Sequence, residues 1–249
     1  MTELLFSKDC YLKEFDAVRV SLIEDSPAIV IPAPTDHIQL DRTAFYYTSG
    51  GQPCDLGKII ANGQEYNVID VFRDKATGKI FHKLDRLFDN KIREVHGIID
   101  WNRRYMHMRH HTALHLLSKV VLDEFGNFVT SSQIYADRAR IDFDFNESIS
   151  AEKISLLVQK TNAAISKNLP VSISFMPREE ALGIPDLIRT AVNLVPESVK
   201  TVRIITVEGF DMQACGGTHV KNTGEIGGIK ITKTESKGAA RKRIEICLI

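Results

Sequence analysis

The chain has 249 residues, 43% hydrophobic and 26% charged, with 32 basic and 32 acidic side chains. A formal net charge of zero argues against a general polyanion binder but leaves room for a local basic face. No apolar run is long enough to span a bilayer, and the charged N-terminus "MTELLFSKDCYLKEF" has no signal-peptide core, so the cytoplasm is the expected compartment. Its length allows one large domain or two small ones.

Residues 1 to about 100 read as β-rich. "DAVRVSLI", "PAIVIPAP", "HIQLDRTAFYY", "GKIIANGQEYNVIDVFRD" and "GKIFHKLD" are short alternating or apolar runs between Pro, "GG", "NG" and "TG" turns. Many short strands at this spacing predict a small barrel or sandwich for 1–100. From Trp101 the pattern changes. Leu114, Leu117, Val121 and Phe125 recur at helical spacing and Gly126 is a stop signal, which predicts a helix over about 105–125. "NFVTSSQIYADRARIDFDF" reads as two strands around a turn. "SISAEKISLLVQKTNAAISKN" is an amphipathic helix opened by a capping box, with Ser148 or Ser150 as N-cap. "VSISFMP" reads as a strand and "REEALGIP" as a short helix. "VRIITVEGF" and "GEIGGIKITKTESKGAARKRIEICLI" supply the last strands. The expected class is α+β: a β-barrel over 1–100, then an α+β domain over 101–249 with a mostly antiparallel sheet.

On the first of these helices stands "HTALH". His111 and His115, four apart, project from one face. Zinc peptidases use this spacing with a glutamate after the first histidine; here Thr112 occupies that position. About a hundred residues later "ACGGTH" offers a second pair, Cys215 and His219, around Gly216 and Gly217, which imply a tight turn. Three histidines and a cysteine suit zinc. Either pair alone is weak; their joint occurrence is much stronger. His107, one turn before His111, is the reserve ligand, while His110 points roughly 100° away on the helical wheel. His37, His82 and His96 read as ordinary surface or core histidines, and Cys10, Cys54 and Cys247 as packing residues. Four protein ligands favour a structural zinc; the turn amides and the hydroxyls of "VTSSQ" favour a small polar pocket.

"MRHHTALHLLS", "SSQIYADRARIDFDF" and "CGGTHVKNTGEIGGIKI" together resemble the editing domain of alanyl-tRNA synthetases, and more so the freestanding AlaX editing proteins. "DRTAFYYTSGGQPCDLGKI" is similar to the segment that precedes the editing core in the longer AlaX forms. The resemblance covers nearly the whole chain with its motifs in order, and no aminoacylation core precedes them. A medium-length, freestanding trans-editing factor is therefore expected. The resemblance implies one zinc ion per chain on His111, His115, Cys215 and His219. It places Gln133 in the editing pocket and Thr130, beside Ser131 and Ser132, against the serine hydroxyl. Gly50, Gly51 and Gln52 match the end of a glycine-rich motif that approaches the pocket. Tyr47, Thr48 and Ser49 stand where the family carries small or acidic residues, and Leu114 where bacterial synthetases often have threonine. These departures bear on amino-acid selectivity.

The implied reaction is deacylation of tRNA(Ala) mischarged with serine or glycine. Gln133 and the amides of Gly216 and Gly217 would orient the carbonyl and hold the oxyanion. Arg103, Arg104 and Arg109, and "KGAARKR" with Lys237, Arg241, Lys242 and Arg243, are candidate phosphate contacts. The Gly50–Gly51 pair lacks any phosphate-loop continuation. A monomer with no membrane partner is expected. Two other readings compete: a zinc peptidase or amidase, which the missing glutamate opposes, and a non-catalytic zinc module that binds tRNA or a partner protein.

Overall fold

The computed structural model describes residues 2–20, 35–190 and 199–249. The chain forms two compact units. The first comprises residues up to Ser49 and Pro53–Arg104; the second comprises Gly50–Gln52 and Tyr105–Ile249. The segment "PAIVIPAP" and the end of "DAVRVSLI" lie outside the described residues.

In the first unit, β1 (Glu3–Leu4) pairs in parallel with β4 (Arg42–Thr43). The remaining strands are β2 (Glu14–Val18), β3 (Thr35–Ile38), β5 (Gly57–Ala61), β6 (Gln64–Arg73), β7 (Ile80–Phe88) and β8 (Glu94–Ile99). They form an antiparallel sheet of order β2-β8-β5-β6-β7-β3. This ladder is what the described residues show of the expected barrel. An antiparallel bridge, Arg19↔Leu40, links the chain just after β2 to the chain just after β3. The β5–β6 hairpin turns on Asn62 and Gly63, whose φ angles are 48° and 75°. Such a left-handed pair is what a two-residue hairpin requires. "HIQLDRTAFYY" is extended only in part, over β3 and β4; beyond them Phe45 and Tyr46 leave the ladder and are buried. Phe15, Ile38, Leu40, Phe45, Ile59, Val71, Leu84 and Phe88 belong to the core.

Helix α1 (Trp101–Phe125) starts four residues earlier than its apolar periodicity indicates. Asp100 is the reason. Its Oδ1 accepts the Arg103 amide at 3.2 Å, and its carbonyl accepts the Arg104 amide at 3.0 Å. Together these contacts make an N-cap. The helix stops at Gly126, where φ is 70°. The Gly126 N–H donates to the Leu122 carbonyl at 2.8 Å. A glycine in the left-handed region is a common helix end.

In the second unit, β9 (Val129–Ile134) and β10 (Ala139–Phe143) form the expected pair around a turn. They join β14 (Ile229–Ser236) and β15 (Lys242–Leu248) in an antiparallel sheet of order β14-β15-β10-β9. A second antiparallel sheet contains β11 (Val171–Pro177), β12 (Thr201–Val207) and β13 (Asp211–Ala214). Helix α2 (Ala151–Ser166) is capped by Ser150, whose hydroxyl accepts the Lys153 amide at 3.4 Å. The expected capping box is incomplete, because the third helical position holds Lys153, which has no acceptor. Short α3 (Arg178–Leu182) follows β11. Among the described residues, no helix is long and apolar enough to cross a membrane.

Candidate metal centre

Helical spacing puts His111 and His115 one above the other on α1, with ring centroids 5.2 Å apart. The turn after β13 carries the other pair. Two carbonyls of that turn are clamped by buried Arg203 on β12: its Nη1 donates to Cys215 O at 2.8 Å and to Gly217 O at 2.7 Å. The His219 ring then lies 4.5 Å from that of His111 and 4.4 Å from that of His115. One donor atom from each of His111, His115, Cys215 and His219 lies within 4.8 Å of all the others.

Glycine at 217 is a steric requirement. A Cβ there would stand 2.0 Å from His111 Cε1, whereas at Gly216 it would meet nothing within 4 Å. The Gly217 amide donates to Cys215 Sγ at 3.3 Å. That N–H, expected to face an oxyanion, points at the sulfur instead, where it would support a thiolate ligand.

Neighbouring groups set two imidazole tautomers. Gln52 Nε2 donates to Thr218 Oγ1 at 2.8 Å, and its Oε1 accepts the Thr218 amide at 3.0 Å. Oε1 also lies 2.8 Å from His111 Nδ1. That nitrogen therefore carries the proton and Nε2 keeps its lone pair. Thr112 does the same for His219. Its hydroxyl donates to Met108 O at 3.0 Å and accepts the Val220 amide at 3.3 Å. The remaining lone pair faces His219 Nδ1 at 3.2 Å, leaving Nε2 as the free donor atom. Both free nitrogens approach the sulfur: Cys215 Sγ is 3.5 Å from His111 Nε2 and 3.4 Å from His219 Nε2.

These separations suit a tetrahedral zinc ion, in which Zn–N of about 2.0 Å and Zn–S of about 2.3 Å put neighbouring N and S roughly 3.5 Å apart. Burial also keeps the imidazoles neutral. Desolvation holds His111 down to about 3, with Arg203 adding to the effect. Burial followed by neighbouring imidazoles holds His115 and His219 well below the ordinary value, because a low-dielectric interior disfavours the charged ring. His110 is outside the set, its Nδ1 facing Met106 O at 2.9 Å. His107 is buried and does not join the four.

The other candidate residues fall in several places. Gly50, Gly51 and Gln52 are together in the second unit. The Gly51 carbonyl accepts the Ile134 amide at 2.8 Å. With φ at +81°, a Cβ on Gly51 would lie 2.2 Å from the Ser132 carbonyl oxygen. Thr130 is the extra residue of a β-bulge, since Ser131 faces Asp142 while Val129 faces Phe143. Its Oγ1 is buried with no hydrogen-bond partner among the described residues. Gln133 faces Arg140 across the β9–β10 ladder, and its Nε2 donates to Ile134 O at 3.2 Å. These contacts do not join it to the four donors.

Burial corrects several of the candidate phosphate contacts. Arg104 is fully buried, bound to Asp55 and to the Cys10 carbonyl at 2.9 Å, so it belongs to the first unit's core. Lys242 is also buried, donating to the Ala239 carbonyl at 2.9 Å. Arg109 is half-buried and donates to Ile226 O at 2.7 Å; Arg243 forms a two-pronged pair with Asp142 at 2.7 and 2.9 Å. Arg241 is exposed. Motif reading missed Arg203 and the pair formed by Arg189 and Asp211, because no local spacing marks them.

The family model described as threonyl and alanyl tRNA synthetase second additional domain matches residues 202–245, and that described as tRNA synthetases class II (A) matches 14–103. A Methanosarcina acetivorans protein, alanyl-tRNA editing protein AlaX-M, is 38% identical over the full length of both chains. Its Saccharolobus solfataricus counterpart is 39% identical over 98% of each. Alanine–tRNA ligase from Pyrococcus furiosus is 38% identical over 94% of this chain and 24% of its own length.

Proposed function

Since the chain belongs to the AlaX-M family of alanyl-tRNA editing proteins, we propose that it hydrolyses seryl and glycyl esters of tRNA(Ala) at a pocket beside a zinc ion. The family assignment makes it an aminoacyl-tRNA deacylase. The observation that carries the finer reading is the convergence of His111, His115, Cys215 and His219 within 4.8 Å, with two Nε2 lone pairs turned toward the sulfur.

His111, His115, Cys215 and His219 would hold the ion, which supplies a Lewis acid able to polarise water or fix the substrate's amino group. Gln52 and Thr112 hold their imidazoles in the ligating tautomer. Gly217 N–H stabilises the thiolate, and Arg203 keeps the turn closed. Water adds to the ester carbonyl carbon; the terminal ribose oxygen departs with a proton, releasing amino acid and tRNA. The four donors include no carboxylate. An aminoacyl ester is already activated, so the proton demands that a peptidase meets with glutamate are smaller here.

Selectivity rests on Thr130. Its buried, unpartnered hydroxyl matches the extra hydroxyl of serine. Alanine would leave that group unsatisfied and fill the space beside it with a methyl, whereas glycine leaves room there for a water that pairs with it. Gln133, whose Nε2 donates to Ile134 O, is the candidate group to orient the ester carbonyl. Exposed Arg241 is the candidate phosphate contact, and Gly51, next to Gly50, brings main chain against Ser132.

The test is deacylation of Ser-tRNA(Ala), Gly-tRNA(Ala) and Ala-tRNA(Ala) under single turnover, with Thr130→Val alongside. Serine and glycine are expected to be released and alanine retained, with the serine preference reduced in the variant. A chain that releases none of the three refutes the reading.

A further inference from the structure

A second buried polar group near the metal centre lacks partners. Arg189 is 6% exposed and uses Nη2 to bind Asp211 Oδ1 at 2.7 Å. Its Nε and Nη1 have no hydrogen-bond partner among the described residues. An orphaned guanidinium N–H in the interior forfeits its hydration without replacement and calls for a ligand that satisfies it.

The position of Arg189 is specified from both sides. Its carbonyl accepts the Val129 amide at 3.1 Å, and the next residue, Thr190, bridges Val129 in parallel. Thr130, the other unpartnered polar group, is the residue after Val129. Toward the metal centre, Asp211 Oδ2 binds Gln213 Nε2, which also donates to the His115 carbonyl at 3.3 Å and to Ser118 Oγ at 3.2 Å. Arg189, Thr130 and the ligand helix are thus tied through one strand bridge and one hydrogen-bond chain.

The chemistry of the two orphans is complementary. Arg189 offers only donors, while Thr130 Oγ1 both accepts and donates. A hydroxyl is the group that satisfies both, accepting from the guanidinium and donating to the threonine oxygen. Because Asp211 already balances the guanidinium charge, a neutral hydroxyl suits the position better than a phosphate.

We propose that Arg189 is a second specificity-determining residue, donating to the side-chain hydroxyl of the seryl group while Thr130 accepts from it. This rests on the deacylase reading above, and the experiment separates the two.

Arg189→Lys keeps a cation for Asp211 but gathers its donors on one atom, removing those at the Nε and Nη1 positions. Against the wild type, the ratio of kcat/KM for Ser-tRNA(Ala) to that for Gly-tRNA(Ala) is expected to fall at least tenfold. An unchanged ratio overturns the proposal, including the case where both rates fall together, as a purely structural role requires. Wild-type chain that releases neither amino acid refutes the deacylase reading itself. A second arm needs no variant: tRNA(Ala) charged with 2,3-diaminopropionate replaces the hydroxyl with an ammonium that cannot accept a hydrogen bond. Release slower than serine by tenfold or more is expected; release at the seryl rate means Thr130 acts alone and overturns the assignment of Arg189.

Discussion

Thr112 Oγ1 lies 3.2 Å from Nδ1 of His219, so the residue that stands where a zinc peptidase carries glutamate lies behind a candidate metal ligand. Its two other hydrogen bonds, to Met108 O and from the Val220 amide, fix which lone pair remains for the imidazole. An ionised carboxylate at this point would have no proton for the Met108 carbonyl. The same helical position thus carries different chemistry in the two settings.

Thr112→Val removes that acceptor at nearly constant volume. Zinc affinity is expected to fall about 10- to 100-fold, the usual effect of losing a partner behind a histidine ligand. Competition with a chromogenic chelator measures it. Thr112→Ser should retain most of the affinity; an undiminished affinity in the valine variant would show that His219 needs no such support.

Gly217→Ala places a methyl 2.0 Å from His111 Cε1, while Gly216→Ala meets nothing within 4 Å. Metal content per purified chain is expected to drop well below one for the former and to stay near one for the latter. Equal metal content in both would mean that the turn yields to the added methyl.

Asp55 and Arg104 form a fully buried ion pair in the first unit. Asp55→Ala strands the guanidinium and is expected to destabilise by about 3–5 kcal/mol, read from the denaturant midpoint of the full chain. The double change Asp55→Leu with Arg104→Met should cost clearly less. A surface role for Arg104, such as phosphate binding, would give a small effect for the single change.

His82 is wholly buried, with Nε2 2.8 Å from Thr43 Oγ1, and burial lowers its pKa from 6.5 to about 4. Above pH 6.5 the ring is neutral whether folded or unfolded, and it adds no pH dependence. Between pH 6.5 and about 4 the unfolded ring takes a proton that the folded ring refuses. Stability should therefore fall on acidification by about 1.4 kcal/mol per pH unit, to a total of about 3 kcal/mol. His82→Gln should flatten this slope; an identical slope would assign the acid sensitivity to other groups.

Legibility follows sequence distance. The Asn62–Gly63 hairpin, the Gly126 helix stop and the Ser150 cap depend on neighbouring residues and are readable as such. Both candidate ligand pairs are visible because the partners of each stand only four positions apart, and their chemistry indicates that they belong together. The link from Gln52 to His111 spans 59 positions, and no periodicity marks it. Arg104 and Arg203 look like ordinary cations, because a sequence shows charge and not burial. Gln133 enters as a pocket residue through the resemblance to the editing family and not through any local spacing. The bulge at Thr130 interrupts the strand alternation that would otherwise order the faces from Val129 to Gln133.

The most direct test of a zinc-dependent deacylase is metal removal and restoration on one preparation. Ser-tRNA(Ala) hydrolysis is followed in chelator-stripped protein, then after adding one equivalent of zinc, with metal content and folded state checked at each stage. Loss of release in the folded, metal-free chain and its recovery with zinc is the expected result. A folded, metal-free chain that releases serine at the original rate would contradict it.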